Sequence, residues 1–154
     1  MRRLDIQPVV LEGKVIRLEP AEERHAAGLV NWADPETFRY FLSIIPREQS
    51  EEGLKEYIRT CRAQSNLLTY TMILQETGEP IGSSSYLDIR PDHLMVEVGM
   101  TWIGRDYRGT KVNPEAKLLM IGHAIEVLGC ERVQLKTDGR NKQSQAAITK
   151  LGAK

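Results

Sequence analysis

The segment Arg108-Gly109-Thr110-Lys111-Val112-Asn113-Pro114-Glu115-Ala116 brings two cations, a glycine and a helix start together. Unpaired N–H groups in the first turn of a helix and the helix dipole both favour negative charge. Arg108 and Lys111 add positive charge at the same place, so the segment reads as a phosphate-binding loop. An ordinary helix start flanked by two solvated basic side chains fits the same residues, and both readings stand at this point. Gly104 and Gly109 have the mutual spacing of a nucleotide-binding P-loop, but Gly109-Thr110-Lys111 is followed by Val112 and Asn113. No hydroxyl follows the lysine to hold magnesium, which rejects an NTPase reading.

A second group lies just upstream. Leu94, Val96, Val98, Met100 and Trp102 alternate along one face of a strand and read as core. The period of two puts Met95, Glu97, Gly99, Thr101 and Ile103 on the other face, so a carboxylate, a glycine and a hydroxyl share one side. A carboxylate there suits a general base, and equally an ordinary solvent-facing strand glutamate.

The elements that position these groups follow from hydrophobic period. Val15 to Leu18 reads as a strand, and Pro20 opens a helix with His25, Leu29 and Trp32/Ala33 on its stripe, ending near Asp34-Pro35. Ser50 is an N-cap for a helix in which Leu54, Tyr57, Ile58 and Cys61 follow the i, i+3, i+4, i+7 rule. Leu68 to Leu74 and Ile81 to Ile89 form a hairpin around Glu76-Thr77-Gly78-Glu79, and Pro91-Asp92 turns into the strand above. Asn113 as N-cap and Pro114 at the first helical position start a helix running to about Leu128, stopped by Gly129 and buried on most sides. A strand over Arg132 to Thr137 and a last helix from Asn141, with Ser144, Ala147/Ile148 and Leu151 on one stripe, complete the order. The order β-α-α-β-β-β-α-β-α predicts an α/β sandwich with a mixed, partly antiparallel sheet and at least one βαβ crossover.

Composition narrows the function classes. The 154 residues suit one domain, and 21 basic against 21 acidic residues leave a formal net charge of zero. No global basic field exists to hold nucleic acid or an anionic membrane, and only 6% of residues are aromatic. The longest nearly apolar run, Leu118 to Leu128, is short of the ~20 residues that a bilayer span requires. Met1-Arg2-Arg3-Leu4-Asp5 leads into no apolar signal segment, so a cytoplasmic location is expected. Cys61 and Cys130 read as reduced, buried or half-buried thiols, and His25, His93 and His123 stand at no metal-ligand spacing.

Four segments in register carry a family resemblance: Val96-Glu97-Val98-Gly99-Met100-Thr101-Trp102-Ile103, the loop Arg108 to Asn113, Glu115-Ala116-Lys117-Leu118-Leu119, and Asn141-Lys142-Gln143-Ser144 through Leu151-Gly152-Ala153. Together they resemble the GNAT superfamily of acetyl-CoA-dependent N-acetyltransferases. The nearest group looks like the ribosomal-protein N-terminal acetyltransferases. The resemblance runs from Leu11-Glu12-Gly13 to the final Leu-Gly-Ala and implies one acetyltransferase domain over residues 1–154.

It also implies a division of labour. Arg108 matches the first position of the family's Gln/Arg-x-x-Gly-x-Gly/Ala loop, whose amides cradle the pyrophosphate of coenzyme A. Gly109, Thr110, Lys111, Val112 and Asn113 would complete the cradle, with Lys111 and Asn113 standing where small residues are usual. The strand carrying Glu97 would splay from its neighbour at a bulge near Gly99. The pantetheine arm would then lie by Trp102 and Ile103, and the amide at Thr101 would polarise the thioester carbonyl. By the same resemblance Glu97 would take the proton of the amine through water, Asn141 would lie near the pantetheine, and Ser144 would also touch the cofactor and protonate the departing thiolate. Ile148 stands about where many members carry a tyrosine acid. Phe38, Tyr40 and Phe41 would line an acceptor cleft or simply cover the core.

Family members continue past the Leu-Gly-Ala with a closing hairpin of about two strands. A fold lacking it would leave Arg132 to Thr137 as an open edge suited to a homodimer. The expected function is direct transfer of acetyl from acetyl-CoA to a primary amine of a small molecule or a peptide N-terminus, without metal. The competing expectation is a coenzyme A-binding or protein-interaction domain with weak turnover.

Overall fold

The computed structural model describes residues 7–33 and 50–135. Phe38, Tyr40 and Phe41, the end of the strand expected over 132–137, and the last helix with Asn141 and Ser144 lie outside the described residues. Among the described residues six strands form one sheet in chain order: β1 (Leu11–Glu12), β2 (Ile16–Pro20), β3 (Leu68–Leu74), β4 (Pro80–Arg90), β5 (Met95–Ile103) and β6 (Arg132–Leu135). All neighbours are antiparallel except β5 and β6, which run parallel and are joined through a helix, as a parallel pair requires. The mixed α/β class expected from periodicity is the class observed, and its sheet is mainly antiparallel. The described helices are α1 (Ala26–Leu29), α2 (Glu51–Arg62) and α3 (Val112–Glu126).

The sheet carries a core on each face. On one, Leu18, Tyr70, Met72, Tyr86, Val96 and Val98 pack against Val112, Ala116, Met120 and Ala124, the i, i+4 stripe of α3. On the other, Leu54, Tyr57, Ile58 and Cys61 of α2 pack with Ala26, Leu29 and Trp102. The α2 stripe is the one its spacing predicts, and Ser50 Oγ accepts the Gly53 N–H at 3.0 Å as its cap. Each fully buried large apolar side chain contributes on the order of 1.5–3 kcal/mol, so the two cores fix the distance of both helices from the sheet. Cys61 and Cys130 are free and buried, as expected.

Several boundaries differ from the sequence expectation. Leu11–Glu12 adds a short strand. The first helix is shorter than its stripe suggests, because Pro20 ends β2 and a 3-10 turn over Glu23–His25 precedes α1. His25 explains the tight start: its Nδ1 accepts the Glu22 N–H at 3.1 Å and lies 2.9 Å from Thr71 Oγ1, while Nε2 meets Glu19 Oε1 at 3.2 Å. Burial lowers the pKa of this imidazole, which favours the neutral ring that such a cap needs. Helix α3 is less enclosed than expected, since Leu118 and Ile125 face outward and are exposed.

Glu115 ties the start of α3 to the other edge of the sheet. Its Oε1 accepts the N–H groups of both Val15 and Ile16 at 2.8 Å, and it fills the space above Gly13 where a Cβ would sit. Replacing Glu115 by alanine strands two part-buried donors and should lower the unfolding free energy by about 1–3 kcal/mol, read as a lower urea midpoint with unchanged slope.

Candidate functional site

Strand β5 leads directly into the basic loop. Register with β4 runs Glu97 opposite Leu87 and Gly99 opposite Ser85, then jumps to Trp102 opposite Ser83. Met100 and Thr101 therefore face Ser84 together, which defines a β-bulge. Met100 takes φ 50°, so the left-handed residue is Met100 rather than Gly99, where the sequence placed the bulge. A non-glycine residue there costs roughly 1–2 kcal/mol that the surrounding core must offset.

The bulge overturns the strict alternation read from sequence. Val96 and Val98 face α3, but after the extra residue it is Ile103 that joins that core, while Trp102 lies in the core beside α2. Thr101 also turns toward α3, where its Oγ1 accepts a hydrogen bond from Lys117 Nζ and lies 2.8 Å from Ser84 Oγ. Glu97 remains on the α1 and α2 face, 7% exposed, beside Gly99, where an added Cβ would lie 4.0 Å from Glu97 Oε2. Glu97 and Thr101 thus occupy opposite faces of the sheet, not the shared side that period two predicts. Pairing of β5 with β6 extends from Met95–Arg132 to Val98–Leu135 among the described residues.

The loop begins at Gly104, which lies so close beneath the Trp32 ring that a Cβ would approach it to 2.7 Å. Trp32 in turn meets Tyr107 edge to face at 5.2 Å and donates Nε1–H to Glu79 at 3.0 Å. A 3-10 turn over Arg105–Tyr107 follows, and Arg108 folds back so that its Nε donates to the Ile103 carbonyl at 2.9 Å. Gly109 takes φ 75° and is the left-handed residue of the loop. Lys111 has φ −73° and ψ −9°, an ordinary helical conformation, so a lysine where glycine is usual imposes no backbone strain.

The helix starts two residues earlier than expected, at Val112 with Lys111 flanking it, and Asn113 sits inside the first turn instead of capping it. Thr110 Oγ1 lies 3.3 Å from the Val112 nitrogen and accepts its N–H. The N–H groups of Gly109, Lys111 and Asn113 have no acceptor among the described residues, and the buried Asn113 Oδ1 likewise has no partner. A half-turn of that amide would present a further donor instead. Arg108 and Lys111 flank these donors. Three unpaired N–H groups, a guanidinium and an ammonium at a helix N-terminus fit a diphosphate.

Sequence reasoning passed over Lys117. It is 6% exposed, and burial pushes its ammonium down to about 8. No carboxylate pairs with it among the described residues. The available signal was a lysine in line with apolar residues between Ala116 and Gly122.

A family description of the GNAT acetyltransferase domain matches residues 16–154. A protein of T. thermophilus assigned as an acetyltransferase is 34% identical, with a TM-score of 0.86 over 97% of this chain and 77% of its own. The RimJ protein of Mycobacterium smegmatis, in complex with CoA-disulfide, is 17% identical, with a TM-score of 0.71 over 93% of this chain and 71% of its own. The ribosomal-protein-S5-alanine acetyltransferase of Vibrio fischeri is 18% identical, with a TM-score of 0.69 over 94% and 82%. The last two share the fold. No curated protein matches the sequence significantly. The chain belongs to the GNAT acetyltransferase family, whose members transfer acetyl groups from acetyl-CoA. No helix among the described residues is long and apolar enough to cross a membrane.

Two outcomes follow. Gly109→Ala leaves the space around the loop open but forces a left-handed alanine, and should cost about 1–2 kcal/mol in thermal unfolding. Lys117 has a folded-state pKa below its usual 10.5, so the folded chain binds fewer protons between about 8 and 10.5 and stability rises with pH through that window. Below about 8 the buried charge costs roughly 3 kcal/mol. Lys117→Met should therefore be more stable than wild type near neutral pH, with a gap that narrows as the pH climbs toward 10.5 in denaturant titrations.

Proposed function

We propose that the chain transfers acetyl from acetyl-CoA to a primary amine by direct attack in a ternary complex. The observation that carries this reading is that the N–H groups of Gly109, Lys111 and Asn113, held between Arg108 and Lys111 at the start of α3, meet no acceptor among the described residues. These groups, with Thr110 and Val112 shaping the turn, would bind the diphosphate of coenzyme A. The pantetheine arm would run back along β5 past Ile103 and Trp102 toward the bulge, with Asn141 and Ser144 contributing from the last helix. The amide of Thr101 would polarise the thioester carbonyl.

Glu97 would accept the proton of the incoming ammonium through water, which frees the nitrogen lone pair for attack. Its position on the α1 and α2 face supports entry of the amine from that side, opposite the side chain of Thr101. Ser144 is the serine that the family pattern nominates to protonate the thiolate. The nitrogen–carbon bond forms as the carbon–sulfur bond breaks, and no covalent enzyme intermediate is required.

A protein α-amine is the acceptor favoured by the fold shared with the Vibrio fischeri S5-alanine enzyme. A cytoplasmic setting accords with that acceptor and with the donor.

Glu97→Gln should lower the rate of amine acetylation by about 10²–10⁴-fold while calorimetric affinity for acetyl-CoA stays within about twofold of wild type. Binding of acetyl-CoA without turnover of any primary amine by wild type would favour a coenzyme A-binding domain instead. Unchanged turnover in the variant would remove Glu97 from the mechanism.

A further inference from the structure

Lys117, Thr101 and Ser84 form a connected chain on the α3 face, outside every role assigned above to a side chain. Lys117 Nζ donates to Thr101 Oγ1, and the Thr101 and Ser84 hydroxyls share a hydrogen bond of 2.8 Å. Ser84 is fully buried, Lys117 is 6% exposed and Thr101 is half-buried. A protonated lysine has three N–H donors and each hydroxyl has one, yet the chain's own contacts accept only two of these hydrogens. The rest meet no acceptor among the described residues. Buried donors are normally satisfied, so a donor-rich chain next to a strand bulge marks a place for an electron-rich group that arrives with a ligand.

Resting on the acetyl-transfer reading, we infer that Lys117 is a positioning residue for the departing thiolate, acting through the Thr101 hydroxyl on the face opposite Glu97. The thioester sulfur is bonded to the same carbon whose oxygen the Thr101 amide would address, which brings the sulfur within reach of that residue's own Oγ1. When the nitrogen–carbon bond forms and the carbon–sulfur bond breaks, the electron pair of the broken bond passes to sulfur. Here the Thr101 hydroxyl, in place of the Ser144 hydroxyl that the family pattern nominates, gives its proton to sulfur, and a Lys117 proton moves to Oγ1. Lys117 is left neutral and regains a proton from solvent, where the acceptor amine has released its own. Burial supports the role: it lowers the ammonium from its usual 10.5 to about 8, toward the ~8.5 of a cysteine thiol, so Lys117 gives up a proton more readily than an exposed lysine would. Ser84 sets the rotamer of the Thr101 hydroxyl. The bulge thus separates the two proton transfers, with the amine's proton leaving on the α2 face and the thiol's proton arriving on the α3 face.

The test is the ionisation of coenzyme A itself while bound, followed by the ultraviolet absorbance of its thiolate. Bound to wild type, the thiol should ionise about one pH unit or more below its free value, because a cation and a hydroxyl donor favour the anion. Lys117→Met and Thr101→Val should return it to within a few tenths of the free value, whereas Thr101→Ser should keep it low. Identical thiol titrations in wild type, Lys117→Met and Thr101→Val would overturn the inference, as would a return to the free value in Ser144→Ala alone. Failure of wild type to bind coenzyme A would overturn the acetyl-transfer reading and this inference with it. A shifted thiol combined with unchanged turnover in Glu97→Gln would overturn only the part assigned to Glu97.

Discussion

The bulge in β5 sets Met100 and Thr101 against Ser84 alone, and most of the site's geometry follows from that one extra residue. Before it, even-numbered side chains face α3; after it, odd-numbered ones do, with Thr101 and Ile103 on the α3 side and Trp102 beside α2. A regular strand would place Glu97 and Thr101 on one face, where an ammonium held near Thr101 would pair directly with the carboxylate. The extra residue keeps the sheet between them. The strained Met100 is held because both flanks are anchored, Val96 and Val98 in one core and Trp102 in the other.

The same strand delivers the chain to the basic loop, and three contacts hold that loop in place. Trp32 presses on Gly104, the Arg108 guanidinium caps the Ile103 carbonyl, and the Glu115 carboxylate anchors the first turn of α3 to Val15 and Ile16. None of these partners is the donor set itself. They leave the amides of Gly109, Lys111 and Asn113 without an acceptor among the described residues, the condition under which a helix N-terminus can receive an anion. Arg24, Arg17, Glu19 and Glu22 form the other charged cluster near the sheet, but there the charges satisfy one another. Although partial burial opposes it, hydrogen bonds from Arg17, Arg24 and His25 hold the Glu19 carboxyl at about 2.

Much of the fold was legible because period and capping agree. The α2 stripe, the hairpin of β3 and β4, and the parallel return to β6 follow from spacing that burial then respects. Arg108 to Asn113 was legible as a candidate anion loop for the same reason, since cations, glycine and helix start are local features. The bulge was not, because no residue in Gly99-Met100-Thr101 requires the left-handed conformation at Met100, and the register with β4 that imposes it is a long-range property. Reading Asn113 as the cap failed by two residues for a related reason: the helix begins at Val112, and Thr110 supplies the hydroxyl to its N–H instead. Lys117 was visible as an isolated charge on an apolar helix, but its partner depends on which face Thr101 takes, and that again depends on the bulge.

We propose that coenzyme A is held by the loop amides and reaches the bulge of β5. Amide chemical-shift mapping of the isotope-labelled chain during titration with coenzyme A tests it most directly. Saturable shifts are expected at Gly109, Lys111 and Asn113 together with Thr101 and Trp102, while α2 amides from Leu54 to Cys61 stay in place. Saturable shifts confined to other surfaces, with the loop and the bulge unmoved, would contradict it.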